Sequence, residues 1–385
     1  MKTLLLIFAV VVALPGVATS IHLSIICFAS VFFRPRPIAE SRDQVFLIVV
    51  PARNEALVIG DTLTSLKDAT QDEDIILVVA DRCTDDTAAI ARDAGALVLE
   101  RTEGAVPGRA AAVEDGIAFA SNLEWTAVSV IDADSVVNEE FFLALDAALA
   151  DDRPLAQPRS EHIRSPGFLA RASEAAFAMQ GVALPRGRQV LGIGVRLRGS
   201  GMSMMRDITE STGYERKGAS EDLFMSLGLV LRGYSTEHVD DARLESLSAP
   251  SLKAGGQQRI RWEQGRLGAA REFIPKLLKR GTPASVESAI LLMTPPFAVA
   301  AFLVVLGALI AFRAGSDSIA LVLALFAVLL ALDVAIALIE ARAPLATWLS
   351  LVVAPFYIIW KTGLQAVAIV RWRQASEAYE PTSRE

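Results

Sequence analysis

Acidic residues follow three apolar runs of this chain, and their placement suggests chemistry on a phosphorylated ligand. Val45 to Val50 is followed by Pro51-Ala52-Arg53-Asn54-Glu55, Ile75 to Val79 by Ala80-Asp81-Arg82-Cys83-Thr84-Asp85-Asp86, and Thr126 to Ile131 by Asp132-Ala133-Asp134-Ser135. If the runs are neighbouring strands, their ends deliver like charges to one sheet edge, where they repel unless something positive joins them. A divalent cation held together with a diphosphate is the economical solution. Mg2+ or Mn2+ prefers oxygen ligands and is usually held by one or two carboxylates plus substrate phosphates, and it stabilises a diphosphate as it leaves. A plainer reading stands beside this one: an Asp-x-Asp triplet is often a solvated turn, and Glu55 and Asp81 are loop acids unless they bond the base and ribose of a nucleotide. Arg109, at a helix start after Gly104 and Gly108, is either a phosphate contact or an exposed helix residue.

Two later clusters add reactive groups. Ser220-Glu221-Asp222 precedes an apolar helix, so Asp222 is either a helix N-terminal acid or a general base taking a proton from an acceptor hydroxyl. In Gln258-Arg259-Ile260-Arg261-Trp262 the helical spacing puts Gln258, Arg261 and Trp262 on one face. An arginine fork suits a pyrophosphate and a flat indole suits a sugar ring; the same residues would also anchor a surface helix at a bilayer.

The elements that must position these groups read as strand and helix in alternation. Helices are expected at about Ile59 to Ala69, from Asp85-Asp86-Thr87 onward, at Arg109 to Ala120 and at Glu139 to Ala150, with a further short strand at Ala96 to Leu99. That pattern predicts an α/β fold, a mostly parallel sheet with helices on both faces, with ligands beyond the carboxyl ends of the strands. After Pro154 the pattern loosens. Leu191 to Met205 reads as loop and strand, Asp222 to Leu231 as helix, and Pro250 to Lys279 as a helical stretch lying along a membrane surface.

Membrane spans are expected because 52% of the 385 residues are hydrophobic and unevenly spread. Thr3 to Phe33, Ser288 to Phe312 and Ala343 to Trp360 carry no formal charge, and Ser318 to Ile339 carries only Asp333; about 20 apolar residues suffice to cross the hydrocarbon core. The first run is too long for a signal peptide's apolar region and reads as an uncleaved anchor. Arg34, Arg36 and Arg42 then place the following domain on the cytosolic side of the cell (inner) membrane. Because Arg371-Trp372-Arg373 also favours the inner face, Ala343 to Trp360 is expected to be re-entrant or incompletely spanning, with Lys361 to Tyr379 on the inner surface. The resulting division is an anchor at 1–34, a catalytic domain at 35–249, interfacial helices at 250–285, membrane segments at 286–370 and a tail at 371–385. The net charge of −7 argues against nucleic acid as a partner, and Cys27 and Cys83 make neither a disulfide framework nor a zinc site.

Together the strings Val50 to Glu55, Ala80 to Thr87, Asp132-Ala133-Asp134, Gly199-Ser200-Gly201-Met202, Glu221-Asp222 and Gln258 to Trp262 resemble the family 2 glycosyltransferases, particularly the membrane-embedded branch with cellulose and hyaluronan synthases. The resemblance covers about Val45 to Arg266 and the membrane segments that follow. It implies a GT-A fold, a UDP-sugar donor, a divalent metal and inversion at the anomeric carbon. Carried over by position, Pro51, Arg53 and Glu55 would border the nucleotide, Asp81 the uracil or ribose, Asp132 the donor, and Asp134 the metal. Gly199, Ser200, Gly201 and Met202 would line the acceptor side, Asp222 would be the base, and Gln258, Arg261 and Trp262 would close over diphosphate and acceptor. Arg109 departs from the Lys that many relatives carry; charge is kept but geometry is not. The expected acceptor is a polysaccharide or other glycan at the membrane. The alternatives are transfer of one sugar to a polyprenyl phosphate or other lipid, and a transporter or scaffold with a degenerate nucleotide fold.

Overall fold

The computed structural model describes residues 1–38, 40–102, 108–163, 168–214, 220–247 and 252–371. Gly104, Pro250 and the tail beyond Arg371, on which some expectations rested, lie outside them. The chain starts with the 29-residue helix α1 (Lys2–Ser30) and enters a domain that alternates as expected. β1 (Phe46–Ala52), α2 (Ile59–Ala69), β2 (Ile75–Asp81), α3 (Thr87–Asp93), β3 (Leu97–Arg101), α4 (Arg109–Phe119) and β4 (Ala127–Val130) follow in turn. Strands β1, β2 and β4 form because runs dominated by Val, Ile, Leu and Ala can be buried on both faces of a sheet. Leu47, Val49, Leu77 and Val79 pack under α4 on one side, and Phe46, Ile48, Val50 and Val78 under α2 on the other. Gly116 of α4 lets that helix sit close, since a Cβ there would lie 2.8 Å from Val79.

The second half of the domain adds β5 (Ser135–Val137), α5 (Phe141–Ala148), β6 (Leu155–Ile163), α6 (Phe168–Ala178), α7 (Leu184–Val190), β7 (Ser203–Met205), α8 (Arg206–Thr212), α9 (Glu221–Arg232) and β8 (Glu237–Leu247). A single π turn at Met179–Ala183 joins α6 to α7. The eight-stranded sheet runs β3-β2-β1-β4-β7-β6-β8-β5. The strands β3 to β4 are parallel, as are β6 and β8, but β7 is antiparallel to β4 and β6, and β5 to β8. The sheet is therefore mixed, more so than the alternation predicted. β6 and β8 escaped the sequence reading because they carry charge where a strand usually carries apolar residues. Asp240 of β8 takes both forks of Arg186 at 2.8 and 2.7 Å, so a tertiary ion pair supports what pattern does not.

Beyond the domain come α10 (Leu252–Arg280), α11 (Pro283–Met293), α12 (Phe297–Arg313), α13 (Asp317–Glu340), α14 (Leu345–Ser350) and α15 (Ala354–Arg371). Among the described residues three helical stretches are long and apolar enough to cross a membrane, or four if a bent pair counts as one span: Lys2–Ser30, Asp317–Glu340 and Leu345–Arg371, the last being α14 and α15 joined by one 3-10 turn. The uncharged run Ser288 to Phe312, expected as one span, divides into α11 and α12, bent by 61°. Pro295 and Pro296 fill the break, lacking the N–H groups that a continuous helix needs. Lys361 does not end the last helix, which continues to Arg371. α1 and α12 touch through small residues: a Cβ on Gly16 would fall 2.6 Å from the Ala300 carbonyl and one on Gly307 2.7 Å from Ala13. Such close backbone approach is how helices pack where no hydrophobic effect drives them together.

The domain is bolted to these helices through α7. A Cβ at Gly187 would lie 1.9 Å from the Ile26 carbonyl of α1. Arg186 reaches Glu340 of α13 at 3.5 Å, and Arg188 pairs with Glu287 of α11.

Candidate active site

The carboxyl ends of β1, β2 and β4 lie side by side, since β1 is flanked by β2 and β4 in parallel register. Asp81 thus ends its strand at the same edge as Asp132 and Asp134. Asp81, 5% exposed, is gripped by Arg82 at 3.0 and 2.6 Å and by Arg101 at 2.8 Å. Arg82 and Arg101 therefore place positive charge directly beside Asp81.

The loops after β1 and β2 are stitched together at this edge. Asn54, at φ 56°, accepts the Thr84 N–H at 2.8 Å, while the Glu55 N–H donates to Thr87 at 2.9 Å and the Ala56 N–H to Asp85 at 3.1 Å. Burial raises the Asp85 carboxyl slightly, but the donors Thr87 and Ala56 outweigh it and hold Asp85 below its usual range. These bonds fix the loops that carry Arg53 and Glu55, with Pro51 still in the strand.

Beyond β4 the chain turns at once, with the Ser135 N–H donating to the Asp132 carbonyl at 3.0 Å. Ala133 is buried and its carbonyl accepts from Thr62 at 2.8 Å, leaving Asp132 and Asp134 to flank it, both partly exposed. Arg109, first residue of α4, reaches Asp132 at 2.7 Å, Glu221 at 3.1 Å and the Tyr214 hydroxyl at 3.2 Å, and it also bonds the Gly199 carbonyl. Burial opposes the charge of Arg109, but Asp132, Tyr214 and Glu221 hold its pKa well above the usual value. Burial likewise raises the Glu221 carboxyl, Asp222 adds to the rise, and Arg109 opposes it. Arg109 is thus a four-way junction, not an exposed helix residue.

Gly199 joins this junction to Asp222. Its N–H donates to Asp222 Oδ2 at 3.0 Å, and Oδ1 of the same carboxylate accepts the Leu223 N–H at 2.8 Å. Ser200 completes the link, its hydroxyl accepting the Asp132 N–H at 3.0 Å and lying 3.1 Å from Ser135. Gly201, at φ 85°, could carry no side chain, because its Cβ would meet Pro158 at 2.3 Å. Met202 does not line the acceptor side: it is fully buried in the core under β4, touching Tyr214.

The helix α10 lies over this corner. A Cβ on Gly265 would fall 2.1 Å from the Ser220 hydroxyl, so α10 rests on the residue just before Glu221. Gly268 faces Phe224 at 3.8 Å. Arg261 shares that face, one turn before Gly265. Gln258 is partly exposed and Trp262 is 44% exposed.

Sequence reasoning missed Arg196 and Arg198, which burial holds down to about 10 and which stand within electrostatic reach of Asp222. It also missed Gln157, which bonds the Ser200 carbonyl at 3.1 Å and the Arg198 N–H at 2.8 Å. An Arg-x-Arg pair directly before Gly199 was the available signal for the first two.

The family described as "Glycosyltransferase like family 2" matches residues 43–265, more than half of the chain. The chain belongs to this glycosyltransferase family. Among solved structures, this glycosyltransferase resembles the mannosyltransferase PcManGT from Pyrobaculum calidifontis, solved with GDP-Man and Mn2+. The two are 16% identical with a TM-score of 0.55, and the likeness covers 96% of this chain and 100% of that one. Glucosyl-3-phosphoglycerate synthase from Mycobacterium tuberculosis, solved with Mn2+, UDP and phosphoglyceric acid, is 19% identical over 63% of this chain and 80% of its own, at a TM-score of 0.42. No curated protein sequence matches. The expected GT-A architecture with added membrane helices therefore stands for this family 2 enzyme.

Proposed function

We propose that this family 2 glycosyltransferase moves a sugar from a UDP-sugar to an acceptor hydroxyl at the membrane face, with inversion at the anomeric carbon. The reading is carried by Gly199, which holds Asp222 through its N–H and receives Arg109 through its carbonyl, while Arg109 holds Asp132. A donor-side acid and a prospective base are thereby fixed relative to each other through Arg109 and Gly199.

In the proposed step Asp222 takes the proton of the acceptor hydroxyl as its oxygen attacks the anomeric carbon. The bond from that carbon to the diphosphate breaks, and its electron pair leaves with UDP. A single in-line displacement inverts the configuration and needs no covalent intermediate. Asp81 and the Arg53–Glu55 loop border the nucleotide, Arg109 orients Asp132, and Arg261 on α10 faces the leaving diphosphate. Gln258, Trp262, Gly199 and Ser200 border the acceptor, and Gly201 shapes that turn.

Among the described residues no three His, Cys, Asp or Glu side chains form a metal site of their own. Oxygen donors that need substrate to complete them fit Mg2+ or Mn2+, which is usually held by one or two carboxylates with substrate phosphates. Asp134 would hold the ion together with the phosphates of the donor. The bound ion would stabilise charge on the departing diphosphate.

The apolar helices support a multi-pass membrane protein, and Arg34 and Arg36 beside α1 support a cytosolic domain at the inner membrane. Arg42 lends less to that argument, being buried against Asp74.

Purified full-length protein incubated with a panel of labelled UDP-sugars should release UDP in a Mn2+-dependent manner, and EDTA should stop it. Absence of turnover with every nucleotide sugar, or turnover that ignores EDTA, would sink the respective claim.

A further inference from the structure

We infer that the acceptor is an anionic lipid whose phosphate seats on Arg196 and Arg198 while its hydroxyl reaches Asp222. The inference rests on the proposed role of Asp222 as the base.

Residues 195–199 run as an extended segment along the start of α9. The Val195 N–H donates to the Thr236 carbonyl at 3.0 Å, the Leu197 N–H to Ser226 at 3.2 Å, and the Gly199 N–H to Asp222 at 3.0 Å. Val195 and Leu197 are buried, at 5% and 2% exposure. Alternation then places Arg196 and Arg198 together on the opposite face, about 6.6 Å apart along the chain. Both remain partly exposed and lie within electrostatic reach of Asp222.

Among the described residues neither guanidinium group is bonded to a carboxylate, and the acid within their electrostatic reach is Asp222, the prospective base. Among the described residues Arg196 makes no hydrogen bond or ion pair, and Arg198 donates to a backbone carbonyl, that of Gln180. A third arginine nearby, Arg188, is taken by Glu287. Burial holds Arg196 and Arg198 down to about 10, with Arg266 adding to this at Arg196 and Arg196 adding to it at Arg198, while Asp222 opposes it at both. One carboxylate thus serves two guanidinium groups, and a phosphate supplies the further negative charge, since arginine forks match its oxygens.

The place of the pair selects a lipid over a soluble anion. Arg188 sits on α7, which lies directly on α1, and its partner Glu287 on α11 also bonds His22 of α1 at 3.1 Å. Arg196 in turn lies within electrostatic reach of His22. The unmatched charge is thus at the seam between the catalytic domain and the membrane helices, where a lipid head group arrives with its hydroxyl and phosphate at one depth. The reaction is the displacement already described, and the phosphate is retained in the product.

The test uses full-length protein in phosphatidylcholine vesicles with labelled nucleotide sugar. A total membrane lipid extract is divided by anion exchange into neutral and acidic fractions, each added separately, and glycerol phosphate serves as the soluble arm. Label should enter the acidic fraction alone, and pretreating that fraction with hydrogen fluoride to cleave phosphate esters should abolish acceptance. Arg196→Gln, which removes no internal bond, should raise the amount of acidic fraction needed for half-maximal transfer by on the order of ten- to a hundredfold, more than it alters the donor KM. Arg196→Lys should recover part of the loss.

Label in the neutral fraction, persistence after hydrogen fluoride, or an Arg196→Gln effect confined to the donor KM would overturn the inference. Glycerol phosphate as the sole acceptor would overturn the lipid source. Nucleotide release with neither lipid fraction nor glycerol phosphate labelled overturns the inference and leaves the glycosyltransferase reading standing, whereas no turnover of any donor removes both.

Discussion

The carboxylate of Asp222 accepts the backbone N–H of Gly199 at 3.0 Å. That bond orients one oxygen of the prospective base, and an amide oxygen in its place could accept it, but the Leu223 N–H on the other oxygen would then face an amide NH2. Asp222→Asn should therefore still fold, with stability lowered by about 1 kcal/mol, while kcat falls by about 10²–10⁴. Transfer near the wild-type rate in a folded variant would show that another group takes the proton.

Arg109 makes four contacts that a lysine cannot reproduce, because an ammonium is a point charge and a guanidinium is a fork. Arg109→Lys should cost about 1.5–3 kcal/mol of stability and lower kcat/KM, although charge is retained. Denaturant unfolding beside initial rates checks both. A silent substitution would mean that the junction is not needed to hold Asp132 and Glu221.

Gly265 sets how closely α10 approaches the base. Gly265→Ala puts a methyl carbon 2.1 Å from the Ser220 hydroxyl, so the helix or Ser220 must move, costing about 1–3 kcal/mol. Lower kcat is expected along with the lost stability. Gly268→Ala, with 3.8 Å to Phe224, is the control and should be stable and active. Equal behaviour of the two variants would argue against α10 closing over the site.

His238 provides a pH test of the domain's attachment to the membrane helices. Its side chain is fully buried on β8, 3.4 Å from Asp240 and 5.7 Å from the Phe33 ring. Burial lowers its pKa, with Arg186 and Arg159 in support and Asp240 opposing. The unfolded chain therefore binds a proton that the folded one refuses, and stability falls as pH drops through about 6.5. Thermal midpoints measured across pH 5 to 8 should decline on the acid side, and His238→Gln should flatten that part of the decline. An unchanged slope would place the acid sensitivity elsewhere.

Much of the framework was legible because it is written in local apolar pattern. The runs at Val45, Ile75 and Thr126 can only be buried strands when followed by helices of matching polarity, and they became β1, β2 and β4. Charge-free stretches likewise announced the long apolar helices. The exceptions were local conflicts: Pro295 and Pro296 broke a run that composition alone made continuous, and the charged strand β8 hid behind its own ion pairs.

By itself the sequence determined which acids stand at strand ends, because a strand's register and direction carry its last residue to the sheet edge. It did not determine what neutralises them. Asp81 met Arg101, twenty residues away, Asp132 met Arg109, and Arg42 met Asp74, while Met202 turned into the core. Those outcomes depend on which side chains share a few ångströms of space after folding. Burial preference is a property of each residue and its near neighbours, whereas an ion pair is a property of distance, and only the tertiary structure sets distance.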